Sequence, residues 1–572
     1  MARVRVLPFA DLKGGLNLRD GAAQLGRNET DDLLNVDLLP SGGVERRGTV
    51  LTWSSGLTET PEAIFHYTSS LVAHVVTQCG NDICWASDDG AFTKIILSGT
   101  AGRMRSAVAS SVALSASGPD PNAPCMYLTR GTGLDAVRYE AHVSTSPTVT
   151  VLSDAAAAWN DDVAVPVGGR FPRAGIVIEH NGFVWAANTV EDGVGYGSRL
   201  RWSHPGQPED WRSFDYWDVA PGRDGDEITG LASLGQRLLI FKRSAIYELA
   251  GPSPELFRLV PVTTDVGACS HEAIAESDQG LAFFDDERGM FLLSQDGLSW
   301  LWERLHEPIL FDGTIPVGVH DQIRVAWLNH KLFVSVPWQT TVNARTFVLD
   351  PLVGGWTVYG LGFSGLLDWH PPNFQRTLLG LSPSSAFVWE IDGGSGAGDI
   401  LDGTETAVGF ESYFKTPWFD ARLPAAQKRW RRVHLVADAD YDTVYRLSSW
   451  KDYNPLGTAR SWNVSIRGRF GGPETTTSST VLYDSALAYD SATAYEGGTV
   501  SSGSSGQSLV WGEGVWGQYL WGSATDGAGV IRRSWRGPGV AEAVQLKVQG
   551  PSDRPWNIDR IDLKYIPMKV LG

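Results

Sequence analysis

Carboxylates, thiols and imidazoles are the groups in this chain that could do chemistry, and their spacing argues against most of it. Three acidic groups stand out: Asp224-Gly225-Asp226-Glu227, Asp285-Asp286-Glu287, and the alternating Asp438, Asp440 and Asp442. A calcium loop needs about six to eight oxygens, with a glycine and a late glutamate at fixed offsets in the EF-hand case. None of the three groups has that pattern, so they read as polar turns and no metal is expected. The 11 histidines are scattered; His66 and His74 stand eight apart, and His204 precedes Pro205 in a turn. No G-x-S-x-G elbow, G-x-x-x-x-G-K-[ST] phosphate loop or H-E-x-x-H helix occurs. A glycosidase needs two converging carboxylates, and no local signature selects a pair. The expectation is that the chain is not an enzyme: no catalytic residue and no cofactor.

The four cysteines are Cys79, Cys84, Cys125 and Cys269. If Asn81-Asp82 made a two-residue turn, Cys79 and Cys84 would face each other across a hairpin, which leaves a disulfide open beside the alternative of buried free thiols. The spacing has no second pair to complete a zinc site. Ser294-Gln295-Asp296-Gly297-Leu298-Ser299-Trp300 resembles the Asp-box turn of sialidase-like propellers, one residue short between Asp and Gly. That turn is a structural device, so it implies a propeller hairpin and not glycosidase activity.

The elements that carry these residues repeat. Apolar strand pairs, each broken by a Gly, Asn, Ser or Pro turn, run from Tyr67 to Val76, Ala113 to Leu128, Ile176 to Trp185, Ile228 to Phe241, Ala273 to Phe284, Val325 to Val336 and Leu378 to Trp389. Their turn centres fall near 70, 122, 181, 235, 279, 329 and 384, a step of about 52 residues, which is the length of one four-stranded propeller blade. With 23 Trp, 16 Tyr, 21 Phe and 64 Gly, the chain reads as an aromatic, turn-rich β protein. The expected fold class is all-β: a β-propeller of about six to eight blades, then a C-terminal antiparallel β-sandwich, with an extended N-terminal arm. The boundaries read are 1–50 for the arm, with one short helix in its Asn28–Asp37 part, 51–395 for the propeller, and 396–572 for the sandwich after the Gly393–Gly398 linker. No run of about 18 apolar residues would span a membrane, and the short basic start lacks the apolar stretch of a secretory signal.

The C-terminal part carries two small repeats, Tyr483-Asp484-Ser485-Ala486 with its copies, and the Trp-Gly pairs of Trp511, Trp516 and Trp521. These aromatics either pack on their own domain or form a stacking surface for a partner. Lys428-Arg429-Trp430-Arg431-Arg432 and Arg532-Arg533-Ser534-Trp535-Arg536 interleave Arg with Trp. They are either strand alternation with Arg stacked on Trp, or docking patches for an acidic neighbour. A net charge of −18 excludes general attraction to phosphate backbones.

The leader residues Gly14-Gly15-Leu16-Asn17, Asn28-Glu29, Leu33-Leu34-Asn35-Val36-Asp37, Gly42-Gly43-Val44 and Arg46-Arg47-Gly48 carry a resemblance. So do Arg201-Trp202-Ser203-His204-Pro205-Gly206 with Trp211, Ile228-Thr229-Gly230-Leu231, Leu238-Leu239-Ile240-Phe241-Lys242, Ile246-Tyr247-Glu248-Leu249-Ala250-Gly251, Val266-Gly267-Ala268-Cys269 and the Gly280 to Phe284 strand. Over about three quarters of its length the chain resembles the tail-tubular-B or nozzle proteins of short-tailed bacteriophages. The resemblance implies a virion tail component, assembled in the bacterial host cytoplasm as a homo-oligomeric ring of about six copies. Such a ring sits below the portal and adaptor proteins, near tail fibres or spikes, and holds and then releases duplex DNA through its lumen without binding it specifically. An acidic lumen would repel phosphates within a Debye length of about 8 Å. The C-terminal sandwich departs from the best-known nozzles. Candidate interface residues are Leu16, Asn17, Leu33, Leu34, Arg46, Arg47, Arg429, Trp430, Arg431, Trp511, Trp516 and Trp521. The competing readings are a peripheral tail or receptor-binding protein that grips a cell-surface glycan, and a glycan-cleaving propeller.

Overall fold

The computed structural model describes residues 4–568 apart from 10, 22, 70–71, 88–89, 111–123, 142–145, 153–158, 162–169, 222–226, 252, 306–309, 311–313, 317, 371–375, 393–397, 405, 425, 439–442, 458 and 467–529. The described part is all-β, with a few single-turn 3-10 segments. The backbone divides into two units, residues 48–408 and a second unit made of 1–47 with 409–572.

The first unit is a seven-bladed propeller. Blade 1 is Pro61–Thr68, Ala73–Cys79, Asp82–Ala86 and Thr93–Ile95. Blade 2 is Arg105–Ser110, Pro124–Thr129, Val137–Glu140 and Thr148–Val151. Blade 3 is Arg173–His180, Phe183–Glu191, Val194–Trp202 and Tyr216–Asp218. Blade 4 is Ile228–Leu234, Arg237–Lys242, Ile246–Ala250 and Arg258–Thr263. Blade 5 is Ile274–Ser277, Gly280–Asp285, Gly289–Ser294 and Gly297–Trp300. Blade 6 is Arg324–Leu328, Lys331–Val336, Arg345–Leu349 and Trp356–Tyr359. Blade 7 takes three strands in sequence, Gly365–Trp369, Thr377–Leu381 and Val388–Ile391, and its fourth, Val50–Thr52, from the start of the unit. That pairing closes the ring, and the first strands of the blades neighbour one another in cyclic order around the axis.

Apolar residues on both faces of the middle strands make the blades stack. Separate buried clusters fill the boundaries between blades 1 and 2, 2 and 3, 3 and 4, 4 and 5, 6 and 7, and 7 and 1. Between blades 5 and 6, Trp302 meets Phe284, Phe347 and Trp356 edge-on with ring centroids 5.6, 5.1 and 5.0 Å away. Such contacts add to area burial.

The second unit holds a four-stranded antiparallel sheet in the order Arg5–Phe9, Arg560–Pro567, Lys428–Asp438, Val530–Ala541. A second sheet runs Arg460–Ile466, Thr443–Lys451, Val544–Gln549, Tyr413–Lys415, Leu33–Leu34, and a small one runs Asn557–Ile558, Val44–Arg46, Val36–Leu38. Strand Thr443–Lys451 shows the sandwich alternation, with Thr443, Tyr445, Leu447 and Ser449 buried and Val444 exposed.

Several expectations are corrected. The leader is not a free arm: its strands pair into all three sheets of the second unit, because their hydrogen-bond partners lie at the far end of the chain. The short helix expected over Asn28–Asp37 is instead the strand fragments Glu29–Thr30, Leu33–Leu34 and Val36–Leu38, broken at Asn35, whose φ is +53°. The propeller runs past the glycine linker to residue 408, since Ile400 N–H donates to Val50 O and Asp399 Oδ1 accepts from Val50 N–H. The seventh turn centre, near 384, belongs to the second hairpin of blade 7 rather than the first. The turn after Cys79 is Gly80-Asn81, which pairs Cys79 with Asp82 and Cys84 with Thr77. All four cysteines are free and buried.

Candidate functional site at the propeller axis

Near the start of several inner strands the sequence places charge that meets around the propeller axis. Arg103 and Arg105 lead into blade 2, His271 and Glu272 into blade 5, and Arg324 opens blade 6. Glycines 175, 230 and 365 of blades 3, 4 and 7 keep the centre open; a Cβ on Gly230 would come 2.3 Å from Ile274 Cδ1.

Glu272 is the centre of this cluster. Arg105 grips it with both prongs, Nε to Oε1 at 2.9 Å and Nη2 to Oε2 at 3.2 Å. Arg103 Nε lies 3.0 Å from Oε1 as an ion pair, without the alignment of a hydrogen bond. Three further guanidinium donors reach backbone carbonyls of other blades: Arg105 Nη1 to Gly175 O at 2.6 Å, and Arg103 Nη2 and Arg324 Nε to Ser364 O at 3.0 Å each. Arg324 Nη1 donates to Ile323 O and Asp321 O. His271 Nδ1 accepts from Leu231 N–H, and Ser364 Oγ donates to Pro61 O. Residues from all seven blades meet in this network.

Burial acts against every charge here. It would raise the Glu272 carboxyl, but Arg105 and then Arg103 outweigh it and hold the pKa well below the usual carboxylate range. Burial, reinforced by the Arg103 guanidinium, pushes Arg324 down to about 9. Burial and then Arg105 push His271 down to about 4, so it is neutral, consistent with its role as acceptor. The cluster lines a cavity of about 240 Å³, together with Ala63, Ile64, Phe65 and Leu366. Three guanidiniums face one carboxylate, and the exposed Glu62 reaches Arg103 only through space.

The residues expected to carry interfaces have different placements. Leu16, Asn17, Leu33, Arg46, Arg47 and Trp430 are buried in the chain's own fold, which removes them from a free surface. Asn17 Nδ2 donates to Glu29 Oε2, Arg47 Nε to Asn35 Oδ1, and both Arg46 and Arg47 lie over the Phe410 ring. Leu34 is half-buried. Arg429, Arg431 and Arg432 are exposed; strand alternation buries Trp430, and a bulge between Trp430 and Arg432 turns two successive arginines outward. Trp511, Trp516 and Trp521, Asp224 and Asp226, and Asp440 and Asp442 lie outside the described residues.

The other motifs are structural. Asp285 Oδ1 accepts the N–H groups of Glu287 and Arg288, and its Oδ2 accepts that of Gly267, while Asp286 pairs with Arg243 and His320. The Asp-box-like segment is the last hairpin of blade 5, with Asp296 N–H donating to Ser294 Oγ. The axial cluster has no local signature in the sequence because its members are spread from 61 to 364; an arginine just before a strand is the one local signal.

Fold and site together define an all-β propeller protein with an ionic hub on its axis. No protein-family model matches the sequence, and no curated protein does. Among solved structures the chain is similar to BBS1N, crystallised in complex with ARL6DN, at 11% identity and a TM-score of 0.37, over 63% of this chain and 96% of that one. It is similar to PorZ, a surface component of the type-IX secretion system of Porphyromonas gingivalis, at 11% identity and 0.34, over 73% and 46%. It is also similar to Raptor of Chaetomium thermophilum, at 11% and 0.35, over 61% and 29%.

Proposed function

We propose that this chain is a structural protein of a bacteriophage tail, a nozzle subunit that assembles into a ring of about six copies and conducts DNA during ejection. The observation that carries the reading is the use made of the residues behind the nozzle resemblance. In the leader they build sheets and buried hydrogen bonds. In blade 3, Arg201 is 2% exposed and grips Glu191 bidentately at 2.6 and 2.8 Å, and Trp211 is fully buried. Residue patterns spent on a scaffold fit a protein whose work is mechanical.

In this reading the DNA passes between subunits. The propeller's own axis is filled by the hub and a cavity of about 240 Å³, too small for a duplex. Ring contacts are heterologous, and the exposed Arg429, Arg431 and Arg432 ribbon of an otherwise acidic chain suits the acidic face of the next subunit. The test is the triple reversal Arg429→Glu, Arg431→Glu and Arg432→Glu, followed by sedimentation. The expected outcome is subunits that fold but no longer form rings; rings unaffected by the change would rule out this contact.

One observation favours the second reading, a glycan-binding tail protein. A cleft of about 340 Å³ between blades 5 and 6 is lined by Trp300, Trp327 and Trp356 with Glu303 and Arg304 beside them, the mix of flat apolar and polar groups that sugars use. Trp300→Ala would then lower binding to host polysaccharide and leave assembly unchanged.

A further inference from the structure

We propose that the axial cavity is a binding site for a small oxyanion of the phosphate or sulfate class, held by Arg103, Arg105 and Arg324. The first ground is charge. Arg103 and Arg105 pair with the single carboxylate of Glu272, and a third guanidinium, Arg324, 3% exposed, acts on it through space. Buried charge is costly unless it is matched, and the hub as it stands holds an uncompensated positive excess.

The second ground is donors. Arg105 is satisfied by Glu272 and Gly175. Arg103 commits Nη2 to Ser364 O and sets Nε beside Glu272, and Arg324 commits Nε and Nη1 to carbonyls. Arg103 Nη1 and Arg324 Nη2 have no hydrogen-bond partner among the described residues, and both side chains line the cavity. Guanidinium forks of this kind match oxyanions.

The third ground is size. About 240 Å³ lies below the ~300–1,000 Å³ of sites for drug-sized ligands and accommodates one tetrahedral oxyanion with a few waters. Glu272 then has two parts: it fixes Arg105 in place, and it competes with the anion for Arg103. An anion bound here ties together strands of separate blades, so occupancy stabilises the closed ring by mass action.

The test uses the intact purified chain and inorganic phosphate. Phosphorus NMR of phosphate titrated with protein should show saturable broadening, relieved by sulfate but not by chloride at the same ionic strength. Arg103→Gln should weaken binding about tenfold or more, the loss of one charge-assisted contact, whereas Glu272→Gln, which removes the competing carboxylate, should tighten it. Opposite responses from two neighbours are not expected of a merely structural cluster. Absence of saturable broadening in the wild-type protein would overturn the proposal whether or not the variants fold. Binding in Arg103→Gln equal to wild type would also overturn it, by placing the phosphate elsewhere.

Discussion

At the residue scale the propeller's weak point is its charged centre. His271 is neutral in the fold with its pKa near 4, against an ordinary value near 6.5, so the unfolded chain takes up a proton between those values that the fold refuses. Stability therefore falls as pH drops from about 6.5 toward 4. Glu272 acts in the same direction: its depressed pKa contributes stability above the ordinary carboxylate range, and that contribution is lost as pH falls. Urea unfolding should give a midpoint lower at pH 5 than at pH 7, with His271 contributing on the order of 2 kcal/mol. His271→Gln should flatten part of that dependence, and an unchanged pH profile in the variant would exclude His271 as the cause. Glu272→Ala leaves three guanidiniums without their carboxylate and should cost about 3–5 kcal/mol, read as a drop in the denaturation midpoint. A loss below about 1 kcal/mol, the range of an exposed pair, would mean that the hub is solvated.

At the element scale, what could be read from the sequence was what is local. Four of the seven turn centres, near 181, 235, 279 and 329, mark the first hairpin of a blade, since a two-residue turn between apolar runs is a short-range signal; those near 70 and 122 lie outside the described residues. Blade 7 misled because Thr377–Leu381 is its middle strand and is largely buried, so the hairpin on either side of it reads alike. The leader misled for a different reason. Asn35 Nδ2 donates to Glu411 O across 376 positions, and Arg5–Phe9 pairs with the last strand of the chain. No window of sequence contains both partners, and short strands with polar breaks imitate an arm. The axial hub is hidden in the same way, assembled from residues that only ring closure brings together. Removal of residues 1–9 therefore should not act as loss of a docking arm. It should bare the edge of Arg560–Pro567 and speed amide exchange there while exchange in the blades stays as it was. Unchanged exchange in Arg560–Pro567 would show the strand to be dispensable.

At the scale of the whole molecule, the propeller unit has seven blades, a closing strand from the start of the unit and a hub that touches every blade, which tie its blades to one another. In the nozzle reading, a net charge of −18 with the exposed Arg429, Arg431 and Arg432 would let the subunits associate in one orientation and stay clear of DNA phosphates. The most direct measurement is electron microscopy of the purified protein or its particle, with the rotational symmetry counted. The nozzle reading predicts a ring of about six subunits with the hole between subunits and the propeller axes closed. A monomer, or a trimer without a central hole, would contradict it.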